Sequence, residues 1–234
     1  MAVPEPHASA ASPAPRRRGE SDAVLSVFLL LLLAGTVMAW PLRDTRAEPV
    51  LAVLRLLTLA VGIAAIAPGR AHAIVATLVA LVVGYAQVVS GDRSPLLLAA
   101  RLVFFSLLGA ALLVHVFRPG RVTMHRVLGA VSLYVLLGVV WGTGYQLVVV
   151  LQPGAIHGPS GPATVDEAMW LSFITLTTTG YGDVLPASAL ARSLAVLEAL
   201  VGVLYPAILI GRLVSLLQGP SAAGAAPGAT AADP

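Results

Sequence analysis

Residues 177–183 read TTTGYGD, and this polar stretch separates two strongly apolar segments of the chain. Gly180 and Gly182 alternate with larger residues, and glycine adopts positive φ angles at little steric cost. A backbone with that freedom can turn its successive carbonyl groups toward one side. We therefore expect the TTTGYGD segment to form a ribbon of carbonyl oxygens along an axis, and the flanking sequence to hold it in place.

The composition is that of a membrane protein with several spans. The chain has 234 residues, of which 58% are hydrophobic and 11% charged, and its apolar runs are long. Soluble domains carry about twice that share of charged residues. All 14 basic residues are arginines and the formal net charge is +3, without a basic cluster of the kind that binds nucleic acid. The chain contains no cysteine, which excludes disulfides and thiolate metal sites.

Six apolar runs are long enough to cross a bilayer, which takes roughly 20 helical residues. They are residues 23–40, 49–67, 71–90, 95–117, 124–151 and 188–217. The first run follows three arginines and could be a cleavable signal peptide. We favour a retained helix, because this run exceeds the usual apolar region of about 7 to 15 residues in a signal peptide.

The distribution of arginine predicts the orientation of these spans. With a cytoplasmic N-terminus, eight arginines fall at the inner ends of the spans and four at the outer ends. Arginine is enriched on the cytoplasmic side of membrane proteins. We therefore expect a multi-pass protein of the plasma membrane with both termini in the cytoplasm and the TTTGYGD segment at the outer surface.

The residues before the TTTGYGD segment predict a short helix. Thr164 suits the N-cap and Glu167, three residues later, completes a capping box. Asp166 and Glu167 also suit the positive end of the helix dipole. The helix would end near Thr177 and direct its negative end inward. Non-helical backbone at membrane depth, as after this helix, is tolerated only inside protein or along a water-filled path.

These features resemble the selectivity filter and pore of the potassium channel family, over about residues 125–217. The resemblance implies an all-α membrane protein of the six-transmembrane bacterial type with a re-entrant pore helix, assembled as a homotetramer. Rings of filter carbonyls would replace the hydration shell of K⁺, the permeant ion, and no cofactor is implied. The residues that match K⁺-binding positions are Thr178, Thr179, Gly180 and Tyr181, followed by Gly182 in the same filter.

The resemblance also implies a support for the filter. Trp170 matches a pore-helix tryptophan that hydrogen-bonds the aspartate after the filter, here Asp183. The ring of Tyr181 would belong to the same group of side chains around the filter. Two residues depart from the family pattern. Thr179 stands where valine or isoleucine is commonest, so its hydroxyl could bond behind the filter. Ile174 stands where some members place a glutamate that shares a proton with the aspartate.

Glu198 is the only carboxylate well inside a predicted span, and intramembrane acids are costly. It shares a helix face with Gly202, so we expect it to support the filter from behind or to reach the hydroxyl of Thr177. The alternative is a protonated acid bonded to a neighbouring helix. Pro206 lies four residues after Gly202 and removes a helix hydrogen bond, which predicts a gating hinge at Gly202 and Pro206 or, alternatively, a static kink.

We expect four parts in the chain. Residues 1–22 and 219–234 would be disordered cytoplasmic tails. Residues 23–117 would form a four-helix transmembrane domain in the position of a voltage sensor. Residues 118–218 would form the pore domain, with outer helix, pore helix, filter and inner helix. A voltage sensor needs several arginines, but the fourth span contains Arg101 alone. We therefore recognise no voltage sensor and predict weak or absent voltage dependence.

Two other functions compete with a potassium-selective channel. One is a weakly selective cation channel. The other is an intramembrane aspartyl protease, because residues 180–183 read GYGD. Such a protease needs a second aspartate inside another span, and no predicted span contains one. We therefore expect that the protein is not an enzyme and has no small-molecule substrate. We expect membrane lipid to surround it.

Overall fold

The computed structural model describes residues 27–35, 53, 56–58, 60–61, 94–117 and 124–217. Residues 27–35 are helical and belong to the first predicted span. The predicted tails at 1–22 and 219–234 and the third predicted span lie outside the described residues, as does most of the second span.

From residue 94 onward the chain forms four helices: α1 (Pro95–Val116), α2 (Met124–Leu151), α3 (Val165–Leu176) and α4 (Ala189–Leu217). The three long helices, α1, α2 and α4, are long and apolar enough to cross a membrane. Even the 22 residues of α1 rise by about 33 Å, slightly more than the thickness of a bilayer core. The predicted spans at 95–117, 124–151 and 188–217 are thus confirmed as helices.

The connection between α2 and α4 contains three short strands that the sequence analysis did not predict. They are β1 (Ile156–Gly158), β2 (Gly161–Pro162) and β3 (Leu185–Pro186), in the order β2-β1-β3 with antiparallel pairing. The described structure is otherwise helical, which is consistent with the expected all-α class. β1 precedes α3 and β3 follows the TTTGYGD segment. The small sheet therefore pairs the backbone before α3 with the backbone after the TTTGYGD segment.

The N-terminus of α3 is closed by the predicted capping box, which is confirmed. The Thr164 hydroxyl accepts the Glu167 backbone N–H at 3.2 Å, and the Glu167 carboxylate accepts the Thr164 N–H at 2.6 Å. These two bonds satisfy backbone donors that a helix otherwise leaves open. α3 therefore begins at a defined residue, which sets where its C-terminus and the TTTGYGD segment lie.

Three glycines allow the long helices to approach α3 closely. A Cβ at Gly138 would lie 2.6 Å from the Phe173 ring, and one at Gly142 would overlap Met169. On α4, a Cβ at Gly202 would overlap the carbonyl of Leu176, the last residue of α3. α4 continues as one helix through Pro206. Of the predicted hinge pair, Gly202 packs α4 against α3.

Buried apolar side chains form two clusters. The first joins residues 27–35 to α1 and α2, and the second joins α2, α3 and the connection around the small sheet. Between helices in a bilayer, such contacts stabilise through van der Waals packing rather than through the removal of apolar surface from water. The first cluster includes Phe28, Leu32, Leu108, Leu112, Leu133 and Leu136, and the second includes Tyr145, Ile156, Leu171, Ile174 and Val184.

Candidate functional site

The backbone of the TTTGYGD segment alternates between positive and negative φ angles. Positive φ angles occur at Thr178 (59°), Gly180 (53°) and Gly182 (79°), but not at the residues between them. Alternation of left- and right-handed residues turns successive peptide groups to the same side. Thr178 was not foreseen among the positive-φ residues, because a β-branched residue rarely adopts this conformation.

The backbone N–H groups at the start of this segment are bonded to the end of α3. Thr179 and Gly180 donate to the Ile174 carbonyl at 2.8 and 3.1 Å, and Thr178 donates to the Thr175 carbonyl at 3.0 Å. Within the described part of the chain, no backbone N–H donates to the carbonyls of residues 178–182. The start of the segment therefore has its N–H donors in use, while no described backbone N–H occupies the carbonyl oxygens of residues 178–182, and free carbonyl oxygens are the ligands that bind K⁺ in channels.

Trp170 joins α3 to the end of the segment. Its indole Nε1 donates to the Asp183 carboxylate at 2.9 Å, and its ring stacks on Tyr181 with centroids 5.6 Å apart and planes 5° apart. The ring of Tyr181 is otherwise open, with 70% of its surface exposed in the single chain. The three residues that the resemblance grouped together are thus in direct contact.

Thr177 and Thr179 are joined on the side of the segment next to α3. The Thr177 hydroxyl donates to the Phe173 carbonyl at 2.6 Å, and the hydroxyls of Thr177 and Thr179 are 2.9 Å apart. A hydroxyl has one proton, so Thr179 is the donor in the second bond. The hydroxyl by which Thr179 departs from the family pattern therefore has a partner. Ile174, the other departure, is a buried apolar residue of α3.

Glu198 is fully buried between α2, α3 and α4. Its carboxyl oxygens lie 2.8 Å from the Tyr145 hydroxyl and 2.5 Å from the Ser172 hydroxyl. Glu198 therefore contacts the middle of α3 rather than the TTTGYGD segment or Thr177. Sequence reasoning had singled out the acid but not its two partners, because neither hydroxyl residue belongs to a motif.

The last residue of α3 is supported from two sides. The Tyr134 hydroxyl of α2 donates to the Leu176 carbonyl at 3.1 Å, and Gly202 of α4 packs against the backbone of the same residue. The ring of Tyr134 stacks on Tyr205 of α4, with centroids 5.9 Å apart. The point at which α3 passes into the TTTGYGD segment is thus held by both long helices.

A polar relay connects α1 to the start of α3. The guanidinium of Arg101, which is buried on α1, donates to the side-chain carbonyl of Gln146 on α2. The amide nitrogen of Gln146 donates to the Val165 carbonyl at 3.0 Å. A second contact lies at the other end of α1, where Arg212 of α4 donates to the Phe117 carbonyl at 2.6 Å and lies over its ring.

The cation ligands that this region offers are backbone oxygens. Among the described residues no group of three or more histidines, aspartates or glutamates could hold a metal ion. The negative end of the α3 dipole also points toward the TTTGYGD segment, which favours a cation there. The arrangement can therefore coordinate a desolvated monovalent cation without a side-chain cage.

Comparison with known proteins finds similarity to ion channels. Residues 130–219 match the ion channel family. A voltage-gated potassium channel of Aeropyrum pernix is 30% identical over 98 residues, which are 42% of this chain and 30% of that protein. A candidate potassium channel protein of Rhodopseudomonas palustris is 38% identical over 53 residues, 23% of this chain and 13% of that protein.

Protein LctB of Geobacillus stearothermophilus is 36% identical over 81 residues, 30% of this chain and 60% of that protein. The chain thus spans less than a third of the length of the Aeropyrum channel. The matched family and the three long apolar helices support a membrane location. The matches point to a channel and not to an enzyme, in agreement with the rejection of the protease.

Proposed function

We propose that the chain forms a homotetrameric, potassium-selective channel that conducts K⁺ passively across the plasma membrane. Four TTTGYGD segments would surround one axis, with K⁺ bound by carbonyls of Thr178, Thr179, Gly180 and Tyr181. The observation that carries this proposal is the alternation of φ at residues 178, 180 and 182, together with carbonyls that no backbone N–H of the described residues occupies. The resemblance of the segment to a potassium filter supports the same ion.

The exposure of residues 177–183 in the single chain supports a tetramer. Residues 177–183 are all exposed in the single chain, although they lie beside helices that cross the membrane. Irregular backbone at that depth needs surrounding protein or a water-filled path. One chain supplies one ribbon, and closed rotational symmetry supplies the others. Apolar residues exposed along α4 would meet the neighbouring chains or line the inner cavity: Val196, Leu200, Val203, Leu204 and Ile208.

Reversal potentials of the purified protein in liposomes test the selectivity. With K⁺ on one side and Na⁺ on the other, a potassium-selective channel reverses at a strongly shifted potential. A reversal near zero would instead support the weakly selective cation channel, since the two ions would then permeate equally. Native mass spectrometry of the same sample should give four copies, and a stable monomer or dimer would contradict the proposed assembly.

We further propose that the channel lacks a functional voltage sensor. Arg101 is the one arginine of α1, and its guanidinium is held by Gln146 beside α3. A single charge that crosses 100 mV contributes only about 2.3 kcal/mol, and a charge held in place contributes less. A steep conductance–voltage relation that Arg101→Gln flattens would overturn this proposal. The arginine bias supports cytoplasmic termini, which protease accessibility in oriented vesicles would test.

A further inference from the structure

Three short oxygen–oxygen contacts form a chain through Glu198 and Ser172. The Tyr145 hydroxyl lies 2.8 Å from one carboxyl oxygen, and the Ser172 hydroxyl lies 2.5 Å from the other. The Ser172 hydroxyl also lies 2.8 Å from the backbone carbonyl of Gly138. These four groups connect α2, α3 and α4 through one continuous chain of hydrogen bonds.

Each of these contacts needs a proton between its two oxygens, because distances of 2.5 to 2.8 Å are those of O–H···O bonds. The hydroxyls of Tyr145 and Ser172 supply one proton each, and the Gly138 carbonyl supplies none. If Glu198 were ionised, one of the two contacts of Ser172 would be left without a proton of its own. A proton on the carboxyl completes the set: Glu198 donates to Ser172, Ser172 donates to Gly138, and Tyr145 donates to Glu198.

The surroundings of Glu198 are also those of a neutral acid. The titratable groups that face it from the described part of the chain are the phenols of Tyr145 and Tyr134, both on α2. Its hydrogen-bond partners are two neutral hydroxyls rather than an arginine. Among the described residues no cation is a hydrogen-bond partner of Glu198, and an ionised carboxylate that is fully buried without one would carry a large desolvation cost.

We infer that Glu198 carries a proton and acts as a neutral positioning residue, which fixes α3 between the two long helices that flank it. Ser172 lies in the middle of α3, and Gly202, one turn after Glu198, packs against the last residue of the same helix. The protonated acid therefore holds α3 at its middle, and Gly202 holds it at its end. The effect on conduction rests on the proposed function, whereas the protonation does not.

Infrared spectroscopy measures the proton directly. The difference spectrum between the native protein and Glu198→Gln, both in lipid at neutral pH, should contain the C=O stretch of a protonated carboxylic acid. Glu167→Gln is the matched control, because it makes the same substitution at a carboxyl group that accepts a backbone N–H, from Thr164, instead of contacting two hydroxyls. A Glu198→Gln difference spectrum with carboxylate bands alone would overturn the inference, whether or not the protein conducts K⁺.

The positioning role is tested by a conservative and a truncating variant. In Glu198→Gln, the amide can donate to Ser172 and accept from Tyr145, so the K⁺-to-Na⁺ permeability ratio should stay within about twofold of native. Glu198→Ala should lower that ratio by about fivefold or more, since it removes both bonds. Tyr145→Phe removes one bond and should give an intermediate loss, which keeps the test available if Glu198→Ala does not assemble.

Two results would contradict the positioning role. One is a tetrameric Glu198→Gln with the same loss of selectivity as Glu198→Ala, because a neutral isostere should replace a neutral acid. The other is a native ratio in both Glu198→Ala and Tyr145→Phe. If the native protein itself does not discriminate K⁺ from Na⁺, the proposed function fails, while the infrared result still reports the protonation of Glu198.

Discussion

α3 and the TTTGYGD segment are adjacent in the chain but are stabilised in different ways. α3 is capped at its N-terminus, buries five of its residues and is contacted closely by glycines of α2 and α4. The TTTGYGD segment is exposed, has three positive φ angles and leaves its carbonyls without backbone donors from the described residues. The contacts of the single chain thus stabilise α3, whereas the TTTGYGD segment stays exposed. Changes in the two regions should therefore have different consequences.

The largest effect is expected from Gly202→Val. A side chain at this position would overlap the backbone of Leu176, which cannot move without displacing the end of α3. We expect loss of the assembled protein, measured by size-exclusion chromatography in detergent. Gly211→Val on the same helix is the control, because a Cβ there meets nothing within 4 Å. Equal recovery of the two variants would contradict the close contact between α4 and α3.

Gly180→Ala should abolish selectivity while leaving the fold intact. The residue has a φ of 53° and open space around it, so the penalty is conformational rather than steric. An L-residue in this conformation costs about 1 to 2 kcal/mol, and the cost recurs in every copy. The permeability ratio from reversal potentials should approach one, with native elution. Gly144→Ala, in an open position on α2, should leave the ratio unchanged, and a shared defect would contradict this explanation.

Gln146→Leu should reduce stability more than selectivity. It removes the acceptor of the buried Arg101 and the donor to Val165 at the start of α3. Loss of a hydrogen bond to a charged group costs about 1.5 to 3 kcal/mol, so the midpoint of thermal unfolding should fall. Gln146→Glu keeps an acceptor for Arg101 and should lose less. Gln152→Leu, at an exposed position after α2, is the control, and an equal fall there would argue against the relay.

Thr179→Val should have the smallest effect. It keeps the β-branched shape but removes the hydroxyl bond to Thr177, which contributes about 1 kcal/mol or less. We expect a changed rate of inactivation in steady recordings and a permeability ratio close to native. Thr177→Val should have a larger effect, since it also removes the bond to the Phe173 carbonyl. A Thr179→Val variant as unselective as Gly180→Ala would contradict this order.

Local patterns predicted the helices well because their causes are local. The bounds of α1, α2 and α4 follow from the length of each apolar run, and the start of α3 follows from Thr164 and Glu167. The three short strands were missed, since strands of two or three residues carry no periodic signal and exist only through their pairing. The positive φ of Thr178 was also missed, because its residue type argues against it.

The polar contacts between helices were only partly predictable. Glu198 was conspicuous as an acid inside a span, but its partners Tyr145 and Ser172 come from helices 53 and 26 residues away. Likewise Arg101 was conspicuous as the one arginine of its span, but its contact with Gln146 on the next helix was not predicted. Such pairs depend on how the helices rotate and approach, which no single segment encodes.

By itself, the sequence determined the membrane-spanning helices, the capped start of α3 and the glycine-containing segment that offers carbonyl oxygens. Each of these depends on the properties of consecutive residues: apolar length, capping chemistry and backbone freedom. The tertiary structure alone decided that Gly202 seats α4 against the end of α3 and that Glu198 joins the middle of α3 to Tyr145. Packing decided those contacts, because both join helices that are distant in sequence. Gly202 fits against Leu176 only where two backbones approach too closely for a side chain, and Glu198 reaches its hydrogen-bond partners only when α2, α3 and α4 lie side by side.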